Sequence, residues 1–402
     1  MTSVEVPIAP ARTPLAPRLV ELLSGDWRYV PILMAIVLIW TLFGVWDPKF
    51  LSPRNLSNLS LQSVVTGILA LGLVPVLIIR QIDMSVAAVS AVAGTITGQM
   101  LIVFDAPVWL AIAAGVAFGA AVGFVQGRWI TWTKTPGFLV TFGVSLILAA
   151  VQLRLLPATG QINLFGTDLT FLAGSYVDKS LSWGLVLLTV AGFAVFRYLY
   201  ISDAIKARLP VTIAKNVAAP TAIVLLVMAI AVGALNRHNG VPVAVLIFLL
   251  AIIVLSYIGS HTRFGVYLYA TGANPSAVAR AGVKVDRIRI AAFMICGAFA
   301  AFGGILAASR LLGVSAQSSG MGTLLLEAIT AAVVGGTSLF GGRGSPWSAL
   351  FGALAITSIS NGIDLLGLGT EVKLATQGIV LILATSLDSV VHNLSRGPSA
   401  EL

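Results

Sequence analysis

Long apolar runs follow one another along almost the whole chain, broken by short polar stretches that carry most of its Arg and Lys. Crossing a hydrocarbon core of roughly 30 Å takes about 20 residues of helix. Runs of about this length lie at 29–46, 56–79, 85–104, 108–126, 138–153, 181–196, 217–235, 241–258, 288–308, 324–340, 346–366 and 374–391. They predict an all-α, polytopic transmembrane helix bundle of about twelve spans. The two runs within 181–235 flank a basic connection, Arg197 to Lys215, and read as an inserted hairpin. Gly115, Gly119, Gly123 and Gly127 recur at four-residue spacing on one face of the fourth run, a seam on which a second helix can pack closely.

Three polar interruptions stand out. Arg80-Gln81-Ile82-Asp83-Met84-Ser85 and the glycine-rich stretch 335–345 each separate two apolar runs. Backbone freed at membrane depth must be buried in protein or line a polar cavity, so both are candidate pathway elements; tight turns in which Asp83 and Ser85 cap a helix explain them equally well. The longest interruption, 262–289, encloses a short helix with both ends marked. Asn274 can cap it, Pro275 suits its first position, and Gly282 can take the left-handed stop.

Composition and charge then set orientation. The chain is 58% hydrophobic and 10% charged, with a mean hydropathy of +0.99, whereas soluble domains carry about 25% charged residues. With twelve spans and the N-terminus inside, 17 of the 24 basic residues fall in inside segments. That asymmetry follows the positive-inside rule, places both termini and the 262–289 loop in the cytoplasm, and accounts for the net charge of +9 without nucleic acid. Residues 1–26, with Pro7, Pro10, Pro14 and Pro17 and no apolar core, read as a disordered cytoplasmic tail and not as a signal peptide. Residues 27–392 form the transmembrane domain, and 393–402 a short cytoplasmic tail.

Catalytic chemistry is not legible. Cys296 is the single cysteine, and His238, His261 and His392 lack metal-ligand spacing. Stretch 335–345 carries Arg343 and no lysine where a phosphate-binding loop needs one, so any nucleotide is bound by another subunit. The polar groups in or beside spans are mainly uncharged: Gln62, Ser85, Thr337, Ser338, Asn361 and Gln377, with Asp83 and Glu327 the carboxylates closest to a pathway role. Amides suit sugar hydroxyls, although an interhelical hydrogen bond is the simpler role for any one of them. Ion coupling through Asp83 or Glu327 is the rival arrangement.

At this point Gly272-Ala273-Asn274-Pro275 and Ala279-Arg280-Ala281-Gly282-Val283 resemble the cytoplasmic loop of sugar permeases from ATP-binding-cassette importers of the ribose/xylose branch. Gly67-Ile68-Leu69-Ala70-Leu71-Gly72, Ile82-Asp83-Met84-Ser85-Val86, residues 334–345 and Asn361-Gly362 are similar to further segments of that family. The resemblance spans roughly residues 50 to 392. Gln81, Ala87 and Ala88 depart from the family pattern. Ribose-type members have about ten spans, so the hairpin at 181–235 makes the chain most similar to xylose permeases.

The resemblance implies a homodimeric permease subunit in the cytoplasmic membrane, itself no enzyme, fed by an extracytoplasmic sugar-binding protein. Cassette ATPases that bind ATP and Mg would drive it, and no cofactor would sit in this chain. Residues 262–289 become a coupling loop, with Gly272, Asn274, Pro275, Ala277, Val278, Arg280, Ala281 and Gly282 as the ATPase-facing set. In that reading Ala277, Val278 and Ala281 rest in a groove of the ATPase and Arg280 sits at its rim. Permeases for nucleosides or an autoinducer belong to the same superfamily.

Overall fold

The computed structural model describes residues 29–206, 212–316 and 323–396. Residues 1–28 and 397–402 lie outside the described residues, and with them the expected N-terminal tail and the end of the C-terminal one. Among the described residues, nine helices are long and apolar enough to cross a membrane, and three shorter apolar helices occupy the remaining predicted positions.

The architecture is organised around one helix. Helix α1 is Val30–Trp46 and α2 is Pro53–Ile78. The most hydrophobic window of α2 is 94% buried, so protein surrounds it on nearly every side. Around it pack α3 (Val86–Ile102), α12 (Val285–Leu311), α13 (Thr323–Val334) and α14 (Pro346–Leu365), with α1 against α14 and α15 (Thr370–Arg396) against α13. Helix α4 (Val108–Thr133) lies on α12, and α5 (Gly137–Leu155) on α3 and α4. The four-glycine seam makes this contact possible. A Cβ at Gly119 would overlap the Gly297 carbonyl, one at Gly123 the Phe293 carbonyl, and one at Gly127 the Ile290 backbone.

Outside this core, α6 (Phe171–Gly174) leads to the inserted hairpin, α7 (Lys179–Lys206) and α8 (Ala219–Asn236), which closes a small cluster of Val186, Val190, Val232 and Val241. Helix α9 (Val243–His261) returns against α2. Two antiparallel ribbons tie the connections at the opposite face from the 262–289 loop. Strand β1 (Gln161–Asn163) pairs with β4 (Gly313–Ser315), and β2 (Tyr176–Val177) with β3 (Val241–Pro242).

Three boundaries differ from the sequence reading. The run 324–340 is helical only to Val334, because Gly335 packs against Ser348 and Gly336 adopts φ +108°. The final helix continues to Arg396, so α15 runs four residues past the expected end of the membrane domain. The 262–289 loop is largely helical: α10 (Arg263–Ala273) precedes α11 (Pro275–Arg280).

Candidate functional site

The local chemistry of α11 is that of a capped single-purpose turn. Asn274 Oδ1 accepts from Ala277 N at 3.0 Å, Pro275 occupies the first position, and Gly282 takes φ +82° after the last one. Upstream, Thr262 Oγ1 accepts from Gly265 N at 3.3 Å and starts α10. The exposed residues of α11 are Ser276, Ala277, Ala279 and Arg280, followed by Ala281 and Gly282.

Two members of the expected ATPase-facing set point elsewhere. Val278 is buried against its own protein, because the largest apolar side chain of a short surface helix is the one that leaves water. Gly272 is buried too, pressed so closely on the Ile78 carbonyl and the Gly342 amide that no Cβ fits. Of the expected set, Asn274, Ala277, Arg280, Ala281 and Gly282 are exposed, whereas Gly272 and Val278 are buried.

Gly272 marks a junction of three segments that the sequence shows only as separate interruptions. Helix α2 ends at Ile78 after Pro75, and Arg80 takes φ +60°. From there its guanidinium donates to the last carbonyls of α10: Nε to Gly272 O at 2.7 Å and Nη2 to Ala273 O at 2.7 Å. A cation at a helix C-terminus meets unsatisfied carbonyls and the negative end of the helix dipole, which favours both bonds. The glycine-rich stretch enters from the other side. Gly342 N donates to Ile78 O at 2.8 Å, and Tyr269 Oη, on α10, donates to Gly344 O at 3.1 Å. Gly341 and Gly342, with φ of +77° and +73°, allow the close approach.

The same stretch is held to the two helices that follow. Thr337 and Ser348 share a 2.6 Å hydroxyl contact at the start of α14. On α15, Asp388 Oδ2 accepts from Ser338 Oγ at 2.9 Å and from Leu339 N at 3.0 Å, and Arg343 Nη2 lies 3.8 Å from Oδ1. The break at 80–85 also closes on itself. Asp83 Oδ1 accepts from Ser85 N at 2.8 Å and Ser85 Oγ at 2.6 Å, and Gln126 Nε2 donates to Ser85 Oγ at 2.7 Å. Gln126 is an interior residue of α4, so the break at 80–85 is bonded both within its own turn and to a neighbouring helix.

A second polar group lies deeper. Thr66 is about 20 Å along α2 from Pro53 at 1.5 Å per residue, near the middle of that helix. There Glu327 Oε1 accepts from Gln377 Nε2 at 2.7 Å and Ser360 Oγ at 3.1 Å, and Oε2 from Thr66 Oγ1 at 3.3 Å. Ser63 and Thr357 share a 2.6 Å hydroxyl contact on the same α2/α14 seam, and nearer its outer end Asn55 and Asn361 exchange bonds at 2.8 and 3.1 Å.

The structure thus joins Glu327, Gln377 and Asn361 along one seam. Gln62 sits on α2 half-buried, with no bond to that set. Asp83, Ser85, Thr337 and Ser338 belong to the other end of the bundle and do not meet it. Sequence reasoning passed over Arg80, Tyr269 and Asp388 as junction residues, and Asn55, Thr66 and Ser360 as partners on the seam. Arg80 beside Pro75 and Asp388 in an apolar run were the available signals. Among the described residues no cluster of His, Cys, Asp or Glu could hold a metal ion.

Comparison with known proteins carries the geometry to a family. The chain is 30% identical over 368 residues to the xylose transport system permease protein XylH of Escherichia coli strain K12, covering 90% of this chain and 92% of that one. The XylH protein of Haemophilus influenzae is also 30% identical, over 92% of this chain and 98% of the relative. The ribose import permease protein RbsC of E. coli K12 is 27% identical over 89% of this chain and 92% of its own length. No solved structure matches the chain. With such relatives and helices of this length, the protein is a membrane permease and not an enzyme. A family model for the permease component of branched-chain amino acid transport systems matches residues 55–385, and the chain belongs to that family.

Proposed function

We propose that this chain is the membrane subunit of an ATP-driven importer for a monosaccharide, xylose or a related sugar, working with separate cassette ATPases and an extracytoplasmic sugar-binding protein. Relatives that cover about nine-tenths of the chain are named for xylose, ribose and allose, which favours a sugar over the amino acids in the family's description. The observation that carries the mechanism is the junction at Arg80. An exposed, capped helix is bonded through the end of α10 to the end of the central helix and to the glycine-rich stretch.

In this mechanism an ATPase receives the Ala277, Arg280 and Ala281 face of α11. Closure of the ATPase pair tilts α10 and α11 as one lever, and Arg80 and Gly342 pass the tilt to α2. Coupling of this kind needs contacts that differ between two states, and the short, Gly-hinged bonds at the junction are the ones placed to change. The Glu327, Gln377 and Asn361 seam along α2 is the part of the core that such a tilt would reshape. It supplies acceptors and donors for a hydroxylated solute. Two copies of the chain, one for each ATPase, complete the assembly, with bilayer lipid on the exposed apolar faces of α7 and α8.

Uptake of labelled D-xylose, D-ribose, adenosine and leucine into proteoliposomes tests this reading. The expected result is sugar uptake only when the ATPase, internal ATP and the binding protein are all present. Uptake driven by a pH or sodium gradient without the ATPase would establish an ion-coupled carrier instead, and ATP-driven uptake of adenosine or leucine alone would reassign the substrate.

A further inference from the structure

At the face opposite α11, a cavity of about 430 Å³ opens between the start of α2, the short helix α6 and the end of α12. Its walls include Asn58 and Leu61 of α2, Phe171, Ser175 and Tyr176 around α6, and Arg310 of α12. The positive-inside pattern makes Arg310 an outlier, one of the few basic residues on the outer side. Lys373, also on that side, pairs with Asp364 at 3.2 Å. Arg310 is half-buried, with no carboxylate of the described residues at ion-pairing distance.

The cavity is fitted for a particular chemistry. Arg310 Nη2 donates to Asn58 Oδ1 at 3.1 Å, which holds the guanidinium and the amide side by side. That single bond uses one of the fork's five donors and none of the Asn58 NH₂, and both residues line the space. Phe171 is 59% exposed, and Tyr176, five residues on, lines the same cavity. A guanidinium and an amide bonded to each other in one cavity with an exposed aromatic residue suit a ring that carries hydroxyls on its edge and C–H groups on its faces. The volume lies within the roughly 300–1,000 Å³ of small-molecule sites.

We propose that this cavity is an extracytoplasmic subsite for a monosaccharide, in which Arg310 and Asn58 bind neighbouring hydroxyls and Phe171 covers one face of the ring. It rests on the reading of the chain as a sugar permease and adds a first station for the sugar at the outer end of the central helix. The sugar released by the binding protein would pause here before α2 moves.

Saturation-transfer difference NMR of D-xylose with the full-length permease in nanodiscs, without binding protein or ATPase, tests the site. The expected result is a xylose signal that falls at least tenfold in Arg310→Ala and in Phe171→Ala and is partly retained in Arg310→Lys. In proteoliposomes Asn58→Ala is expected to raise KM for uptake with kcat nearly unchanged, a split that a merely misfolded variant would not give. Absence of a xylose signal with the wild-type permease, or equal signals in all variants, overturns the proposal even while ATP-driven uptake persists. Loss of binding-protein affinity in Arg310→Ala with the xylose signal intact also overturns it and makes the cavity a socket for a carboxylate of that protein. Failure of uptake with the wild-type system would instead count against the sugar-permease reading itself.

Discussion

Single residues around α11 divide into those that face out and those that lock the loop to the core. Ala277 and Ala281 are exposed on α11 and its stop, so Ala277→Glu or Ala281→Glu should insert and fold normally while weakening ATPase binding in detergent by tenfold or more. Unchanged binding would remove α11 as the contact. Val278 is buried, so Val278→Asp should act differently, by detaching α11 from its own protein and raising its proteolysis. Asn274→Ala removes one cap bond worth about 1 kcal/mol, and amide exchange at Ala277 should quicken while exchange in α2 does not change. The caps were legible because Asn-Pro followed by Gly is a local code. Which side of α11 faces out was not, because six residues are too few to show a periodicity and Val278 is hidden by a tertiary contact.

At the scale of elements, the glycine seam on α4 sets the distance to α12. Gly119→Val would force a side chain into the Gly297 carbonyl, so the helices must separate. Overpacking of this kind costs about 1–3 kcal/mol, and a lower melting temperature in detergent with reduced expression is the expected outcome. Gly143, with open space around it, should accept Val without effect and serves as the control. The spacing of four disclosed the seam but not its partner, since α12 lies far away in sequence and meets it with Gly297 and Ala301 beside the larger Phe293 and Ile290, not with a glycine repeat of its own. The same limit applied to the polar seam. Glu327, Asn361 and Gln377 stood out as polar groups among apolar ones, whereas Thr66, Ser360 and Ser63 resemble the many hydroxyls that bond back to their own helix. Glu327→Gln keeps an acceptor for Ser360 and should preserve ATP-driven uptake, and Glu327→Leu should reduce it by about tenfold. Equal uptake in both variants would leave the seam a packing feature.

For the whole molecule, the arrangement is a short exposed helix bonded to one end of a buried central helix, a polar seam along its middle and a cavity at its other end. Helix positions were readable throughout because each run is long and apolar. The convergence of 80–85, 262–289 and 335–345 was not, as it depends on Arg80 turning back at φ +60° and on glycines that let three backbones touch. Arg80 is the piece whose loss separates contact from transmission. Its two charge-assisted bonds to Gly272 and Ala273 are each worth about 1.5–3 kcal/mol, and about 1.4 kcal/mol corresponds to a factor of ten. The decisive measurement is the number of sugar molecules imported per ATP hydrolysed in proteoliposomes containing Arg80→Met. Wild-type ATPase affinity and continued ATP hydrolysis with at least a tenfold lower import per ATP are predicted, whereas an unchanged ratio would contradict the proposed transmission through the junction.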